Sequence, residues 1–172
     1  MLKTALITYL PSLAAATSTP ETWCLSPGDG AKLASRYADL IGAFTADKAR
    51  SVLARDFAET SDSVNGVEAM PPGNVTYDSR DAFIATQRCW PAVAMDVVAV
   101  DAVTCDTVVL RWTQRRVGTT IAGISVLQAV AEDDDWRVRR VWEEFNGLAV
   151  LRSFEEVIAS WACEALHEFH PR

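Results

Sequence analysis

The stretch Cys105–Phe145, CDTVVLRWTQRRVGTTIAGISVLQAVAEDDDWRVRRVWEEF, decides the fold. It is rich in Val, Ile, Thr and Trp, the residues that suit a pleated and half-buried chain. A Gly-containing break and an acidic break divide it at hairpin-like distances. With MDVVAVD (Met95–Asp101) just upstream, it reads as four consecutive strands joined by short links. Such links permit only antiparallel neighbours, since a parallel pair needs a long crossover.

The chain before this region reads differently. Ser26-Pro27-Gly28-Asp29 supplies turn and cap chemistry, and Leu33, Tyr37, Leu40, Ile41 and Phe44 recur at three- and four-residue spacing. That periodicity predicts an amphipathic helix of roughly four turns. A second short helix is expected from Asp47 to about Leu53. Periodicity is lost over RDFAETSDSVNGVEAMPPGNVTYDS, which reads as a long polar connection with a short strand near Val64. Connections of this length inside a domain are usually functional or mobile. Asp78 or Ser79 then caps a third helix through Phe83, Ile84 and Gln87, and Pro91 ends it. Helices first and strands later make an α+β fold.

The chain closes with one more helix, about 153–169. Ser153-Phe154-Glu155-Glu156 matches a capping box. Phe154, Val157, Ile158, Trp161, Ala162, Ala165, Leu166 and Phe169 form one apolar stripe. The stripe is expected to pack on the domain or on a second subunit. Its polar face is acidic, which disfavours a membrane surface.

At 172 residues with 49% hydrophobic content, the chain suits one domain with a sizeable core. A net charge of −7 argues against a nucleic-acid partner, which needs a basic face. Residues 1–17 read as a secretory signal: Lys3, an apolar run from Ala5, then small residues at Ala14 to Ala16. The run is too short to span a membrane, so no stable span is expected after its removal. The four cysteines, Cys24, Cys89, Cys105 and Cys163, allow two disulfides in three pairings. Asn74-Val75-Thr76 is a glycosylation sequon. Together these features point to a secreted or lumenal protein comprising residues 18–172.

Three helices followed by a meander, with Val138, Val141, Glu143, Glu144, Phe145 and Asn146 on the last strand, resemble the nuclear transport factor 2-like superfamily, which includes the SnoaL-type polyketide cyclases. The segments CDTVVLRW, SDSVN, DSRDAF and EFN resemble small secreted fungal members. The resemblance covers about Cys24 to Phe154; the C-terminal helix departs from that group. It implies a cone, in which N-terminal helices close a strongly curved antiparallel sheet around an apolar cavity. Members use the cavity as cyclase, dehydratase, isomerase or epoxide hydrolase, or only for binding, so fold does not fix function. They commonly dimerise through the outer sheet face, which makes a homodimer an open expectation here.

The family pattern places the residue after Phe145 at the cavity, so Asn146 is expected there. Glu144 lies two residues away and shares its face. Glu144 is therefore the expected inward carboxylate and Glu143 the solvated one, unless a β-bulge reverses the parity or Glu144 pairs with Arg111 or Arg140. A carboxylate in an apolar cavity has a raised pKa and suits proton transfer near neutral pH. The resemblance also sets Thr113, Arg111 and Asn146 at the Asp-Arg-Asp triad of epoxide hydrolases in this superfamily, with both carboxylates absent. Asp62 is a candidate second acid, and Asn65 a hydrogen-bond donor to a substrate oxygen. Either residue alternatively shapes only its loop. Tyr37, Trp90, Trp112, Trp142 and Phe145 are candidate pocket walls, or simply core. His167 and His170 have no third ligand nearby, so no metal is implied. The chain has neither a Gly-rich phosphate loop nor a Gly-x-Ser-x-Gly elbow, so no cofactor is implied.

The expected function is a cofactor-independent enzyme of secondary metabolism. It would fold a hydrophobic polyketide or terpenoid and promote cyclisation or isomerisation, by epoxide opening or a pericyclic route. The alternative is a secreted, non-catalytic protein that binds a hydrophobic small molecule. A third reading makes the terminal helix an assembly device.

Overall fold

A computed structural model describes residues 24–155. Helix α1 (Pro27–Gly42) starts where Ser26 Oγ accepts the Asp29 amide and Pro27 opens the first turn. Leu33, Tyr37 and Leu40 form its buried face. Helix α2 (Ala46–Val52) is capped by Thr45. It leads without a break into strand β1 (Leu53–Thr60). Ser61 caps a short helix α3 (Asp62–Val67), and Ser79 caps α4 (Arg80–Gln87). Strands β2 (Met95–Val103), β3 (Thr107–Arg116), β4 (Thr119–Glu132) and β5 (Asp135–Phe145) follow, then α5 (Gly147–Glu155).

The sheet order is β1-β5-β4-β3-β2. The four-strand meander is antiparallel, as its short links require. Asp133 and Asp134 both take positive φ in the two-residue β4–β5 turn, a conformation matched to the twist of a tight hairpin. Strand β1 pairs parallel with β5, so the sheet is mixed. The sequence predicts a long polar connection with a short strand near Val64; the structure has β1 in its first part and helix α3, not a strand, at Val64. The cause is visible in β1: its burial does not alternate, and its register with β5 slips between Leu53 and Ala58. A bulged strand buried on both faces shows no period of two.

Further register shifts bend the sheet in the β2–β3 and β4–β5 pairs. Its concave face receives Leu110, Trp112, Ile121, Leu127, Val138 and Val141, packed against α1 and α4. Cys24 and Cys105 form a disulfide that closes 81 residues of chain and fastens the start of α1 to the β2–β3 turn. Such a cross-link typically contributes about 2–5 kcal/mol. No described cysteine is free. Cys163, the two histidines, the apolar stripe beyond α5 and the expected signal segment lie outside the described residues. Ser153 does not begin the last helix; it sits inside α5 and its hydroxyl donates to Val150 O. Among the described residues, no helix is long and apolar enough to cross a membrane.

One glycine is dictated by packing. Gly123 lies opposite Trp112 in the β3–β4 register. A Cβ there would stand 2.2 Å from Trp112 Cζ2. The indole cannot simply retreat, because its Nε1 donates to Ser125 Oγ at 2.8 Å. Gly123→Ala is expected to cost about 1–3 kcal/mol by overpacking, read as a lower urea midpoint. Gly66→Ala, with nothing within 4 Å, is the control expected to leave the midpoint unchanged or higher.

Candidate functional site

A cavity of about 70 Å³ opens on the concave face, walled by Tyr37, Glu59, Tyr77, Trp90, Trp112 and Glu143 among others. Four elements or connections bring the polar groups there. Tyr37 comes from the buried stripe of α1, Glu59 from β1, Tyr77 from the connection before α4, and Glu143 from β5.

Glu143 is the inward carboxylate, 7% exposed, and Glu144 is the outward one. This reverses the expected parity. The β4–β5 register slips between Gln128 and Ala129, where Arg139 on β5 is the extra residue. The slip brings Val138, Val141, Glu143 and Phe145 to one side. Glu143 Oε2 accepts from Ser125 Oγ at 2.5 Å and from the Tyr37 hydroxyl at 3.4 Å. Ser125 is itself oriented by the Trp112 indole N–H. Burial pushes the Glu143 pKa up to about 7, although the Ser125 and Tyr37 hydrogen bonds pull the other way.

Glu59 is 4% exposed, and its Oε2 has no hydrogen-bond partner among the described residues. Burial, then the charge of Glu143, then that of Glu68 raise its pKa well above the carboxylate range. Of the two acids, Glu143 has hydroxyl donors that favour its ionised form. Glu143 therefore ionises first, and Glu59 retains its proton. Burial also raises the Tyr37 and Tyr77 pKa values, so both phenols remain donors. The Tyr77 hydroxyl donates to Glu68 Oε1 at 2.5 Å. The site thus holds a carboxylate that ionises near neutrality beside a protonated acid and two phenols.

Tyr37, Trp90, Trp112 and Phe145 line the cavity. The other candidates lie elsewhere. Glu144 caps α3, accepting from the Asp62 and Ser63 amides at 2.9 and 3.1 Å. Asp62 is exposed and its Oδ1 accepts from the Gly73 amide. Asn65 is buried outside the cavity lining and its Nδ2 donates to Asn74 O at 3.0 Å. Both residues shape the loop that carries the sequon. Arg111 and Thr113 point to the convex face, because Leu110, Trp112 and Gln114 point inward. Arg111 is held there by a two-point pair with Asp101, at 2.7 and 2.8 Å. Asn146 is exposed and its Oδ1 accepts from the Ala149 amide in the first turn of α5. Trp142 is 45% exposed on the convex face, because the bulge that turns Glu143 inward turns its neighbour out. The expected triad positions therefore do not meet. Among the described residues, no cluster of His, Cys, Asp or Glu could hold a metal ion.

The sequence reading missed Glu59, Tyr77 and Ser125. Glu59 and Tyr77 belong to the stretch taken as loop. Ser125 sits on the inner face of β4, in alternation with Gly123 and Leu127.

A family model described as an NTF2-like domain matches residues 23–157. Solved structures share the fold at low identity. A candidate polyketide cyclase from Streptomyces antibioticus aligns with a TM-score of 0.54 at 15% identity, covering 73% of this chain and 98% of its own. A candidate ketosteroid isomerase from Kribbella flavida aligns at 0.53 and 14%, covering 69% and 78%. A SnoaL-like protein of unknown function from Burkholderia thailandensis aligns at 0.54 and 15%, covering 71% and 98%. No curated protein matches the sequence.

Proposed function

The chain belongs to the NTF2-like family, and on that premise we propose that it is an enzyme that moves a proton on a small apolar carbonyl compound, as an isomerase or cyclase using only its own side chains. The observation that carries this reading is Glu143, buried at the cavity wall with a pKa near 7. The Glu143 carboxylate takes a proton from the carbon next to the carbonyl. The electron pair moves onto the carbonyl oxygen, where the protonated Glu59 or the Tyr37 hydroxyl donates a hydrogen bond to the enolate. Glu143 then returns the proton to another carbon of the same substrate, so no other reagent is consumed. Two structural relatives are a candidate polyketide cyclase and a candidate ketosteroid isomerase, descriptions in line with a cyclase or isomerase here.

Size limits the substrate. Pockets for drug-sized ligands measure roughly 300–1,000 Å³, and this cavity has about 70 Å³. A long polyketide or terpenoid does not fit it in this conformation; a compact ring ketone is nearer the mark. The test is conversion of 3-cyclohexenone to 2-cyclohexenone in D2O, followed by ultraviolet absorbance and by deuterium uptake. Acceleration over a carboxylate buffer supports the enzyme. A rate equal to the buffer's contradicts it and favours the binding reading, in which the cavity holds a small molecule and returns it unchanged. The small volume is the observation in favour of that second reading.

The Cys24–Cys105 disulfide supports an oxidising compartment, and the exposed Asn74 supports a glycan there. The intact mass of exported protein tests both: loss of about the first 17 residues and a glycosidase-sensitive increment are expected. An unprocessed, unmodified chain would contradict them. Exposed Val98, Ile124 and Trp142 on the convex sheet face support pairing of two copies. Ile124→Glu is expected to convert a sedimenting dimer to monomer. A wild-type monomer at every concentration would remove the pairing.

A further inference from the structure

Two buried acids, Glu59 and Glu143, line the cavity, and among the described lining residues Arg116 is the one cation. Burial raises both acids, the charges of Glu143 and Glu68 raise Glu59 further, and the Ser125 and Tyr37 hydroxyls favour ionised Glu143. Arg116 lines the same cavity and donates to Gln114 Oε1 at 3.2 Å. The wall also carries Tyr37 from α1, Tyr77 before α4, and Gln114 with Arg116 on β3, while Glu68 after α3 and the outward Glu144 on β5 lie outside the lining. The Glu59 Oε2 is buried and has no hydrogen-bond partner among the described residues, on a side chain that lines the cavity. The other walls are aromatic: Phe83, Trp90, Trp112 and Phe145. Buried acids beside aromatic faces are complementary to a cation with an apolar skeleton.

We propose that this cavity binds a small organic ammonium ion, its charge set between Glu59 and Glu143 and its carbon atoms against the aromatic walls. About 70 Å³ suits a skeleton of a few heavy atoms. The ammonium favours the ionised form of Glu143, while neutral Glu59 accepts an N–H through its carboxyl oxygen. Binding therefore releases to solvent the proton that Glu143 holds, and affinity rises with pH until Glu143 is already ionised. The inference uses the cavity described above but not its turnover. A protein that binds ammonium and fails to isomerise 3-cyclohexenone keeps this proposal and loses the enzymatic one.

The experiment is an NMR titration of the Trp112 indole N–H with isopropylammonium chloride, against isopropanol and sodium chloride at matched ionic strength. An alkylammonium remains protonated from pH 6 to 8. The proposal expects saturable shifts, with the ammonium at least ~10-fold tighter than the alcohol at pH 8. It also expects weakening of up to about 10-fold per pH unit below Glu143's pKa. Glu143→Gln should flatten the pH dependence, and Glu59→Gln should weaken binding. Equal affinity for ammonium and alcohol overturns the proposal, as does binding independent of pH or the absence of a saturable shift. The wild-type comparison of the two ligands stands even where a variant fails to fold.

Discussion

Glu143→Gln is expected to slow isomerisation of 3-cyclohexenone by about 10²–10⁴-fold, the usual contribution of a positioned general base. Glutamine has the shape of glutamate, and its amide oxygen can accept from Ser125 as the carboxylate does. It cannot take a proton from carbon. The loss should therefore fall on turnover, with the fold retained by circular dichroism. In the wild type, the rate should rise through about pH 7 as Glu143 ionises. An unaltered rate in the variant would exclude Glu143 as the base.

The same substitution is expected to stabilise the protein at alkaline pH. Glu143 has an ordinary value of 4.5 and a folded value of about 7. Between these values the folded chain holds a proton that the unfolded chain has lost. Stability is therefore highest below about pH 4.5, and it falls as pH rises through 7. At about 1.4 kcal/mol per pH unit, the fall amounts to roughly 3 kcal/mol. Glu59, whose value is also raised, acts in the same direction. Asp29, Asp101 and Asp106, whose values are lowered, act in the opposite sense only below the ordinary carboxylate range. Urea midpoints at pH 5 and pH 8 provide the check. Wild type should lose stability between them and Glu143→Gln should lose much less, leaving the variant the more stable at pH 8. Equal slopes would mean that Glu143 carries no proton of its own at neutral pH.

Much of the fold is legible in the sequence because its elements repeat simply. The stripe of α1, the caps at Ser26 and Ser79, and the four β-rich runs each follow from local periodicity and turn chemistry. The site is less legible because bulges build it. Strict alternation along β5 makes Glu144 the inward residue. Val138 and Val141, three apart and both buried, show that alternation is broken between them. Two core-forming aliphatic residues at that spacing in a strand already signal an extra residue. That signal was present in the sequence and would have selected Glu143. Glu59 was less accessible: its strand has no alternation and pairs parallel with the far end of the chain. Its inward position depends on a partner 82 residues away (Val141), which no local window contains. The inward face of β3 is open in the sequence, since a strand's two faces are not distinguished until the core is known; Trp112, seated over Gly123, takes the inside and Arg111 the outside.

The central claim is that a buried glutamate at position 143 exchanges its proton near neutral pH. Carbon-13 NMR titration of the side-chain carboxyls in glutamate-labelled protein measures this directly. One carboxyl is expected to titrate near pH 7 and to vanish in Glu143→Gln. If every resolved glutamate carboxyl titrates near the ordinary value, the cavity holds no such acid and the proton-transfer account fails.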